Sequence, residues 1–337
     1  MIKKFYDKLL YFIKEEYKFI IFMVIFYLLL SFPVNYYIIT GGGISDIDTR
    51  IKVDDAYSSK GSFNISYVTE LKGTISTYLF SYIIPDWKRV GISEYKYDEK
   101  EDYDDLEFRS NLELDSANDN AIKIAYKLAN KKYKVIDTKI YVTGTFSTFK
   151  TNLSIKDQIL AIDGNSYDSV DKYKEYLQTA NDSVLVRVKR DGIEKNIKCK
   201  LYDLDGSKVL GVILGVVNKY KTDPKIKIKF KDSESGPSGG LITTLDIYNK
   251  LTKKDLTNSL KIAGTGTISE DGSIGEIGEV KYKLLGAVKN KAQVFLVPNG
   301  RNYKTCVDLK KKRKLKIKII GVSTIEEAIK ELEKLDS

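Results

Sequence analysis

Histidine is absent from all 337 residues of the sequence. This absence excludes the Ser-His-Asp triad, the Cys-His pair and every zinc site with a histidine ligand, because each of these sites needs an imidazole. Any hydrolytic mechanism on this chain must therefore use another base.

Cysteine is scarce, and its two occurrences are far apart. Cys199 and Cys306 are too few and too distant in the sequence for a zinc site or a disulfide framework. They allow one optional disulfide bond or two free thiols.

A phosphate-binding loop is also missing. No segment follows the pattern G-x-x-x-x-G-K-[ST], and the glycine-rich stretch GTGTISEDG lacks the lysine and the following serine or threonine that would bind phosphate and magnesium. We therefore expect a protein that works without ATP and binds no cofactor or metal.

The composition is that of a folded protein with a basic surface. Hydrophobic residues make up 42% and charged residues 30%, which is typical of globular chains, and the length suffices for two or three domains. Part of the net charge of +10 lies in KKKRKLKIK, Lys310–Lys318. This run fits a nucleic-acid face, attraction to anionic lipid, or a solvated surface. Nucleic acid is not the partner we expect, because lysine-rich surfaces are mostly just solvated.

A long uncharged segment near the N-terminus predicts a transmembrane helix. Phe19–Val34 carries no charge, and the apolar and aromatic character continues to Ile39, which gives about the 20 residues that a span needs. Five lysines precede the segment, and the next basic residue is Arg50. The positive-inside rule then predicts a single-pass anchor in the cell membrane, in contact with lipid, with a cytoplasmic N-terminus.

The same prediction exports everything after Thr40, so that the catalytic part lies outside the cytoplasm. A cleaved signal peptide is the first alternative, but residues 31–40 lack a small-x-small cleavage pattern. A buried soluble helix is the second alternative, and the lack of a polar stripe disfavours it.

The next segment predicts a β-rich stem. Residues 41–97 are rich in β-branched and aromatic residues and are punctuated by glycine. An amphipathic helix is expected to start near Ser116, because five apolar residues follow at helical spacing. These are Ala117, Ala121, Ile124, Ala125 and Leu128.

Residues 132–205 alternate as short strands around one helical stretch. Within them, LSIKDQILAIDG from Leu153 resembles the L-x-x-G-D-x-I-L-x-I-D-G core of PDZ domains, with Lys156 in place of the usual glycine. Such domains bind an extended chain end at a sheet edge. The resemblance implies a peptide-binding loop at Gly144 and Phe146, although packing against a catalytic domain is the open alternative.

A candidate nucleophile follows in the segment KDSESGPSGGLITTLDIYNKL. A glycine-proline turn leads into a helix, which places Ser238 near free backbone N–H groups that can stabilise an oxyanion. Gly236 and Gly239 keep space beside the hydroxyl. A serine at a helix start is usually only an N-cap, so this segment alone decides nothing.

A downstream segment supplies the candidate base. GPSGG together with KIAGTGTISEDGSIGEIGEVKYK resembles the proteolytic domain of Lon-type peptidases, with its motifs G-P-S-A-G and T-G-x-I-x-x-x-G-x-V-x-x-I-G-G-x-x-x-K. The resemblance places the nucleophile on Ser238, the base on Lys283 rather than Lys281, and a residue that holds the lysine on Thr265. A lysine base requires a lowered pKa, and the apolar residues 284–288 predict a helix that buries its amine.

Two departures from the motif concern the turn and the space beside the nucleophile. Gly239 replaces the usual alanine and keeps the position small. Glu279 replaces the second glycine of the I-G-G turn, where it alters the turn or places a carboxylate near Lys283.

These patterns predict an α+β multidomain protein with an N-terminal transmembrane helix, a β-rich stem, a PDZ-like domain and a Lon-type proteolytic α/β domain. The expected bounds are 1–40, 41–131, 132–205 and 206–337. The resemblance implies an ATP-independent, membrane-anchored serine endopeptidase that cleaves extracytoplasmic peptides or exposed protein segments. A catalytically silent PDZ scaffold that binds peptides at the membrane surface is the alternative, and the sequence leaves oligomerisation open.

Overall fold

The computed structural model describes residues 2–336. The α-helices in this range are α1 Ile2–Leu30, α2 Ile75–Phe80, α3 Tyr103–Leu128, α4 Val170–Thr179, α5 Gly240–Leu251, α6 Val280–Lys289, α7 Arg301–Arg313 and α8 Ile325–Glu333. Short 3-10 helices cover Ile47–Thr49, Ile92–Glu94, Pro237–Gly239 and Lys334–Asp336.

The strands follow the same chain order. They are β1 Pro33–Asp46, β2 Ile51–Val53, β3 Ser62–Thr74, β4 Lys88–Gly91, β5 Lys132–Thr145, β6 Gln158–Ile162, β7 Ser183–Arg190, β8 Ile193–Lys200, β9 Tyr202–Leu204, β10 Ser207–Val209, β11 Val212–Asp223, β12 Ile226–Ile228, β13 Lys261–Gly264, β14 Thr267–Ile268, β15 Ile274–Gly275, β16 Val294–Pro298 and β17 Lys318–Val322.

The described chain divides into two compact units. The first comprises the residues up to Gly41 together with Thr69–Tyr95, and the second comprises Gly42–Val68 together with the residues from Lys96 onwards. Strands β1 and β3 contribute residues to both units. The division into four domains that the sequence suggested stays a prediction.

The predicted transmembrane helix is wrong. Helix α1 ends at Leu30, so its uncharged stretch from Phe19 covers only 12 residues, or about 18 Å at the helical rise of about 1.5 Å per residue. A hydrocarbon core is about 30 Å thick. Strand β1 then begins at Pro33, and its Ile38 and Ile39 are fully buried. The apolar run is therefore divided between a helix and a strand.

No helix among residues 2–336 is long and apolar enough to cross a membrane. The described fold is a mixed α/β structure, and the transmembrane element of the predicted fold class is corrected accordingly. The predicted single-pass anchor is corrected with it. The cytoplasmic N-terminus, the exported catalytic part and the lipid contact lose the support that this anchor gave them.

The second unit is built on parallel strands with helices on both faces. Strand β13 pairs in parallel with β3 and β16, and β16 pairs in parallel with β17. One face of these strands packs with residues of α3, α5 and α8, and the other face packs with residues of α6 and α7. Strand β16, VFLVP, is buried along its whole length, as expected for a parallel strand that is covered on both sides.

Segments from the predicted stem complete this arrangement. Strand β2 pairs with β12, and β3 pairs with β13. Helix α3 packs against α5, and it begins at Tyr103 rather than near Ser116. Its N-cap is Asp102, whose carboxylate accepts a hydrogen bond from the Asp105 N–H.

Five of the strands between α3 and β12 form a separate sheet in the order β11-β5-β6-β7-β8, with α4 beside it, while β9 and β10 pair with each other. Lys156, which stands where the PDZ motif has glycine, has a positive φ of 77°, the region that favours glycine. The next residue, Asp157, is buried and forms an ion pair with Arg190 at 2.6 Å.

Candidate active site

The turn before α5 holds Ser238 in a fixed position. Gly236 has a φ of +85°, a backbone conformation that residues with a side chain rarely adopt. Its N–H donates a hydrogen bond to the Ser110 carbonyl on α3 at 2.9 Å. Pro237 then opens a 3-10 turn that leads into α5. Ser238 is partly exposed in this turn, so its hydroxyl is accessible at the start of a helical segment.

Lys283 reaches this hydroxyl from helix α6. Its Nζ lies 2.7 Å from Ser238 Oγ and 3.2 Å from Thr265 Oγ1. The side chain is buried, with a relative exposure of 5%. A lysine amine at this distance from a serine hydroxyl can accept the serine proton when the amine is neutral.

Thr265 connects the two side chains to the backbone around them. It is fully buried, and its Oγ1 donates a hydrogen bond to the Ser238 carbonyl at 3.0 Å. The Gly266 N–H donates to the same carbonyl at 2.8 Å, and the Leu241 N–H donates to the Gly266 carbonyl at 3.1 Å. The segment after β13 is therefore tied to the turn at Ser238 itself and to the start of α5 at Leu241.

Lys281, the alternative base, lies elsewhere. Its Nζ is 5.1 Å from the centroid of the Tyr282 ring, whereas the lysine that contacts Ser238 is Lys283. Helix α6 starts at Val280, directly after its N-cap Glu279, whose carbonyl accepts the N–H of Lys283 at 3.3 Å. Glu279 has a φ of +57°, which explains why a glycine suits this position in the Lon-type motif.

The glycines beside the nucleophile leave little room. A Cβ on Gly239 would lie 2.9 Å from Ile65 Cδ1, the flexible end of a side chain. A Cβ on Gly240 would lie 2.5 Å from Ile268 Cγ2 and 3.1 Å from the Ile268 nitrogen. Alanine is therefore more easily accommodated at Gly239, where the motif usually has it, than at Gly240.

Residues 223–334 match the Lon protease (S16) C-terminal proteolytic domain. This match includes the Ser238, Thr265 and Lys283 positions, and it supports a serine peptidase. Similar curated proteins are the Lon proteases of Neorickettsia sennetsu and Trichlorobacter lovleyi. They are 35% and 34% identical over 97 residues, or 29% of this chain. The chain spans only 11% and 12% of their lengths.

Two solved structures of PDZ domains also resemble part of the chain. One is from an SdrC-like protein of Listeria monocytogenes, with 25% identity and a TM-score of 0.23, covering 24% of this chain and 92% of that domain. The other is from the SdrC-like protein of Listeria innocua, with 23% identity and a TM-score of 0.22, covering 23% of this chain and 92% of that domain.

The predicted peptide-binding residues lie in the sheet of residues 132–223. Gly144 pairs with Ile213 between β5 and β11, so this edge of β5 is already occupied by a strand. Phe146 packs against the rings of Tyr97 and Phe149 at centroid distances of 6.3 and 6.2 Å. Neither is among the groups in contact with Ser238, and their role in peptide binding stays a prediction.

The two cysteines and the basic run take structural positions. Cys199 and Cys306 are buried free thiols, and burial raises their pKa values to about 11 and about 12. Residues 310–313 form the last turn of α7, where positive charge favours the helix dipole. Residues 311–314 are exposed, which agrees with a solvated surface.

The first half of α3 and the polar face of this helix were not predicted from the sequence. Glu107, Asn111, Asp115 and Asp119 follow at intervals of four residues and line a cavity beside the turn of Ser238. A polar stripe at helical spacing is the signal that could have revealed this face.

Proposed function

We propose that this protein is a serine endopeptidase in which Ser238 is the nucleophile and Lys283 is the general base. The observation that carries the proposal is the distance of 2.7 Å between Lys283 Nζ and Ser238 Oγ, at a lysine that is almost fully buried. The match of residues 223–334 to the Lon proteolytic domain supports the same assignment.

The reaction begins with the transfer of the Ser238 proton to neutral Lys283. The Oγ atom attacks the carbonyl carbon of the peptide bond, and the carbonyl oxygen becomes an oxyanion. The backbone N–H groups of Ser238 and Gly239, in the first turn before α5, are the candidate donors to this oxyanion.

Collapse of the tetrahedral intermediate breaks the C–N bond, and the Lys283 ammonium gives its proton to the leaving amine. Water then attacks the acyl ester on Ser238 while neutral Lys283 takes the water proton. That proton returns to Ser238 Oγ as the acid product leaves. Thr265 acts as a positioning residue, because its hydroxyl lies within hydrogen-bond distance of both Lys283 Nζ and the Ser238 carbonyl.

Substrates are proposed to be peptides or unfolded protein segments, and cleavage is proposed to need no nucleotide. The support for nucleotide independence is that these 337 residues contain no G-x-x-x-x-G-K-[ST] loop. Cleavage rates with and without ATP and magnesium should then be equal.

The test is cleavage of an unfolded protein and a peptide pool, with new N-termini identified by mass spectrometry. Wild type should generate them and Ser238→Ala should not, while circular dichroism shows that both are folded. Equal cleavage by Ser238→Ala would refute the assignment. No cleavage by either, together with tight binding of peptide C-termini, would favour a catalytically silent scaffold.

A further inference from the structure

A cavity of about 670 Å³ lies between helix α3, strand β11 and the segment of residues 226–234. It is close to the proposed nucleophile in two ways. Glu234 lines it four residues before Ser238, and Asn111 lines it next to Ser110, whose carbonyl accepts the Gly236 N–H. The lining is thus connected, along the chain and through this hydrogen bond, to the turn that holds Ser238.

The lining is predominantly acidic. Five carboxylates and two lysines contribute to it, namely Glu107, Asp115, Asp119, Asp232, Glu234, Lys219 and Lys231. Glu234 is already bound by Arg50 at 2.6 Å. Both lysines are exposed, so their ammonium groups can extend into solvent and away from the interior of the cavity.

Two of the carboxylates have few hydrogen-bond or ion-pair partners among the residues that the structure describes. Asp115 accepts no hydrogen bond and forms no ion pair with any residue that the structure describes. Asp119 is buried and accepts the Asn218 N–H at 2.5 Å. Burial, reinforced by the neighbouring charge of Asp115, raises the pKa of Asp119 to about 7 despite this bond. A cation in the cavity would lower the free-energy cost of ionising Asp119 beside Asp115.

Asn118 supplies an independent observation. It lines the cavity with a relative exposure of 9%, and its Oδ1 accepts no hydrogen bond within residues 2–336. Buried amide oxygens are nearly always hydrogen-bonded, so this atom calls for a donor. A group that satisfies Asn118 Oδ1 must be a hydrogen-bond donor rather than an acceptor. A cationic donor agrees with the excess of carboxylates in the cavity lining.

Apolar side chains also line the cavity and suit a long aliphatic stem. They are formed by Leu114, Ile122, Val217, Ile226, Ile228 and Phe230. Lysine and arginine combine such a stem with a terminal group that donates several hydrogen bonds.

We infer that this cavity receives a lysine or arginine side chain of the bound peptide, so that the enzyme prefers substrates with a basic residue near the cleaved bond. The inference rests on the proposed peptidase function. The cationic head lies between Asp115 and Asp119 and donates to Asn118 Oδ1, and the stem lies along the apolar walls.

The first experiment compares matched fluorogenic peptides on wild type. One residue at a time is varied between lysine and norleucine, which has a similar length but no charge. At one position, lysine should raise kcat/KM by about tenfold or more, as expected for a charge-assisted hydrogen bond in a partly desolvated site. Equal kcat/KM for both peptides at every position would overturn the inference while leaving the peptidase assignment intact.

The second experiment tests the residues. The double variant Asp115→Asn, Asp119→Asn should reduce the ratio of kcat/KM for lysine peptides over norleucine peptides to about twofold or less. Asp104→Asn, an exposed change on the same helix outside the cavity, should retain the full preference. Retention of the full preference by the double variant would contradict the assignment of these carboxylates.

A binding measurement separates this inference from the proposed chemistry. Ser238→Ala should bind the preferred lysine peptide more tightly than its norleucine counterpart in fluorescence anisotropy, because the cavity is unchanged. Equal affinity would refute the cavity assignment. Absence of cleavage by wild type, with the difference in affinity present, would refute the peptidase function and support the cavity.

Discussion

Ser238 and Lys283 are 45 residues apart in the chain, and their side chains meet because two helix starts are tied together. The turn of Ser238 is bound to α3 through Gly236 and to the segment after β13 through Thr265 and Gly266. The amine of Lys283 is thus held against a hydroxyl whose own backbone cannot easily move. This rigidity favours proton transfer over a distance of one hydrogen bond.

Lys283→Met should abolish cleavage, because methionine has a similar length and no basic nitrogen. Lys283→Arg should be inactive as well, since a guanidinium does not lose its proton in proteins. Lys281→Met, two residues earlier on α6, is the matched control and should keep wild-type activity. Peptide cleavage by the wild type and the three variants checks this. Loss of activity in Lys281→Met alone would reverse the assignment.

Asp119 should make the fold less stable as pH rises. Its pKa is raised from 3.8 to about 7 in the folded protein, mainly by burial, with the charge of Asp115 adding to the shift and the bond from Asn218 opposing it. Between about pH 4 and pH 7 the folded chain keeps a proton that the unfolded chain has released, so the free energy of unfolding falls with increasing pH.

Asp119→Asn removes this titration and should stabilise the protein more at pH 8 than at pH 4, by about 2–4 kcal/mol in the difference. Urea unfolding at the two pH values measures it. Asp104→Asn, an exposed change on the same helix, controls for the general effect of removing a carboxylate. A stabilisation that is equal at both pH values would argue against a raised pKa.

At the scale of elements, helix α6 begins under strain. Glu279 adopts a left-handed backbone conformation at its N-cap, with φ at +57°. This conformation costs a residue with a side chain about 1–2 kcal/mol relative to its usual one. Glycine avoids this cost, but it increases the conformational entropy of the unfolded chain, which offsets part of the gain in stability.

Glu279→Gly should therefore stabilise the fold slightly, by about 1 kcal/mol or less, without moving Lys283. Lys281→Gly, inside the first turn of the same helix, should instead destabilise it by about 1 kcal/mol. Thermal unfolding of the two variants tests the contrast. A Glu279→Gly variant that loses stability would mean that the glutamate side chain contributes more than its backbone costs.

Local patterns predicted some elements and missed others for identifiable reasons. The glycine-proline turn before α5 and the apolar residues after Lys283 indicate the two helix starts, because each signal lies within a few residues of its helix. The start of α3 escaped detection because its first turns carry many charges. Arg109 faces inward there and is buried in an ion pair with Glu101 at 2.9 Å. The end of α1 was misplaced because Ile38 and Ile39 belong to a strand, and the pairing of that strand depends on residues far along the chain.

On the scale of the whole molecule, the Lon-like segment is incomplete without residues that precede it by more than a hundred positions. Strand β3 adds to the sheet beside β13, and β2 adds to β12. The same core contains Phe63 and Tyr126, each at most 2% exposed. The motifs shared with the Lon proteolytic domain lie within residues 223–334, and β2, β3 and α3 contribute packing surfaces rather than a motif.

A fragment of residues 206–337 should consequently fail to fold cooperatively. It lacks β3 and α3, and so it would expose the faces of β13 and α5 that these elements cover. Circular dichroism and urea unfolding of the fragment provide the measurement. A chain that starts at Gly42 is the control and should retain these core elements. Cooperative unfolding of the short fragment would show that residues 206–337 form an independent domain.

The pairing of β5 with β11 also bears on how this architecture could arise and change. The two strands run antiparallel from the pair Lys132 and Asp223 to the pair Thr145 and Val212, so the chain leaves the catalytic part and re-enters it at the same point. Because these two ends are adjacent, a short bridge could join residues 132 and 223 if the residues between them were removed. Val217–Tyr220 of the returning strand line the acidic cavity, so the substrate preference that we infer for this cavity would change with gain, loss or exchange of these residues, without substitution of Ser238 or Lys283.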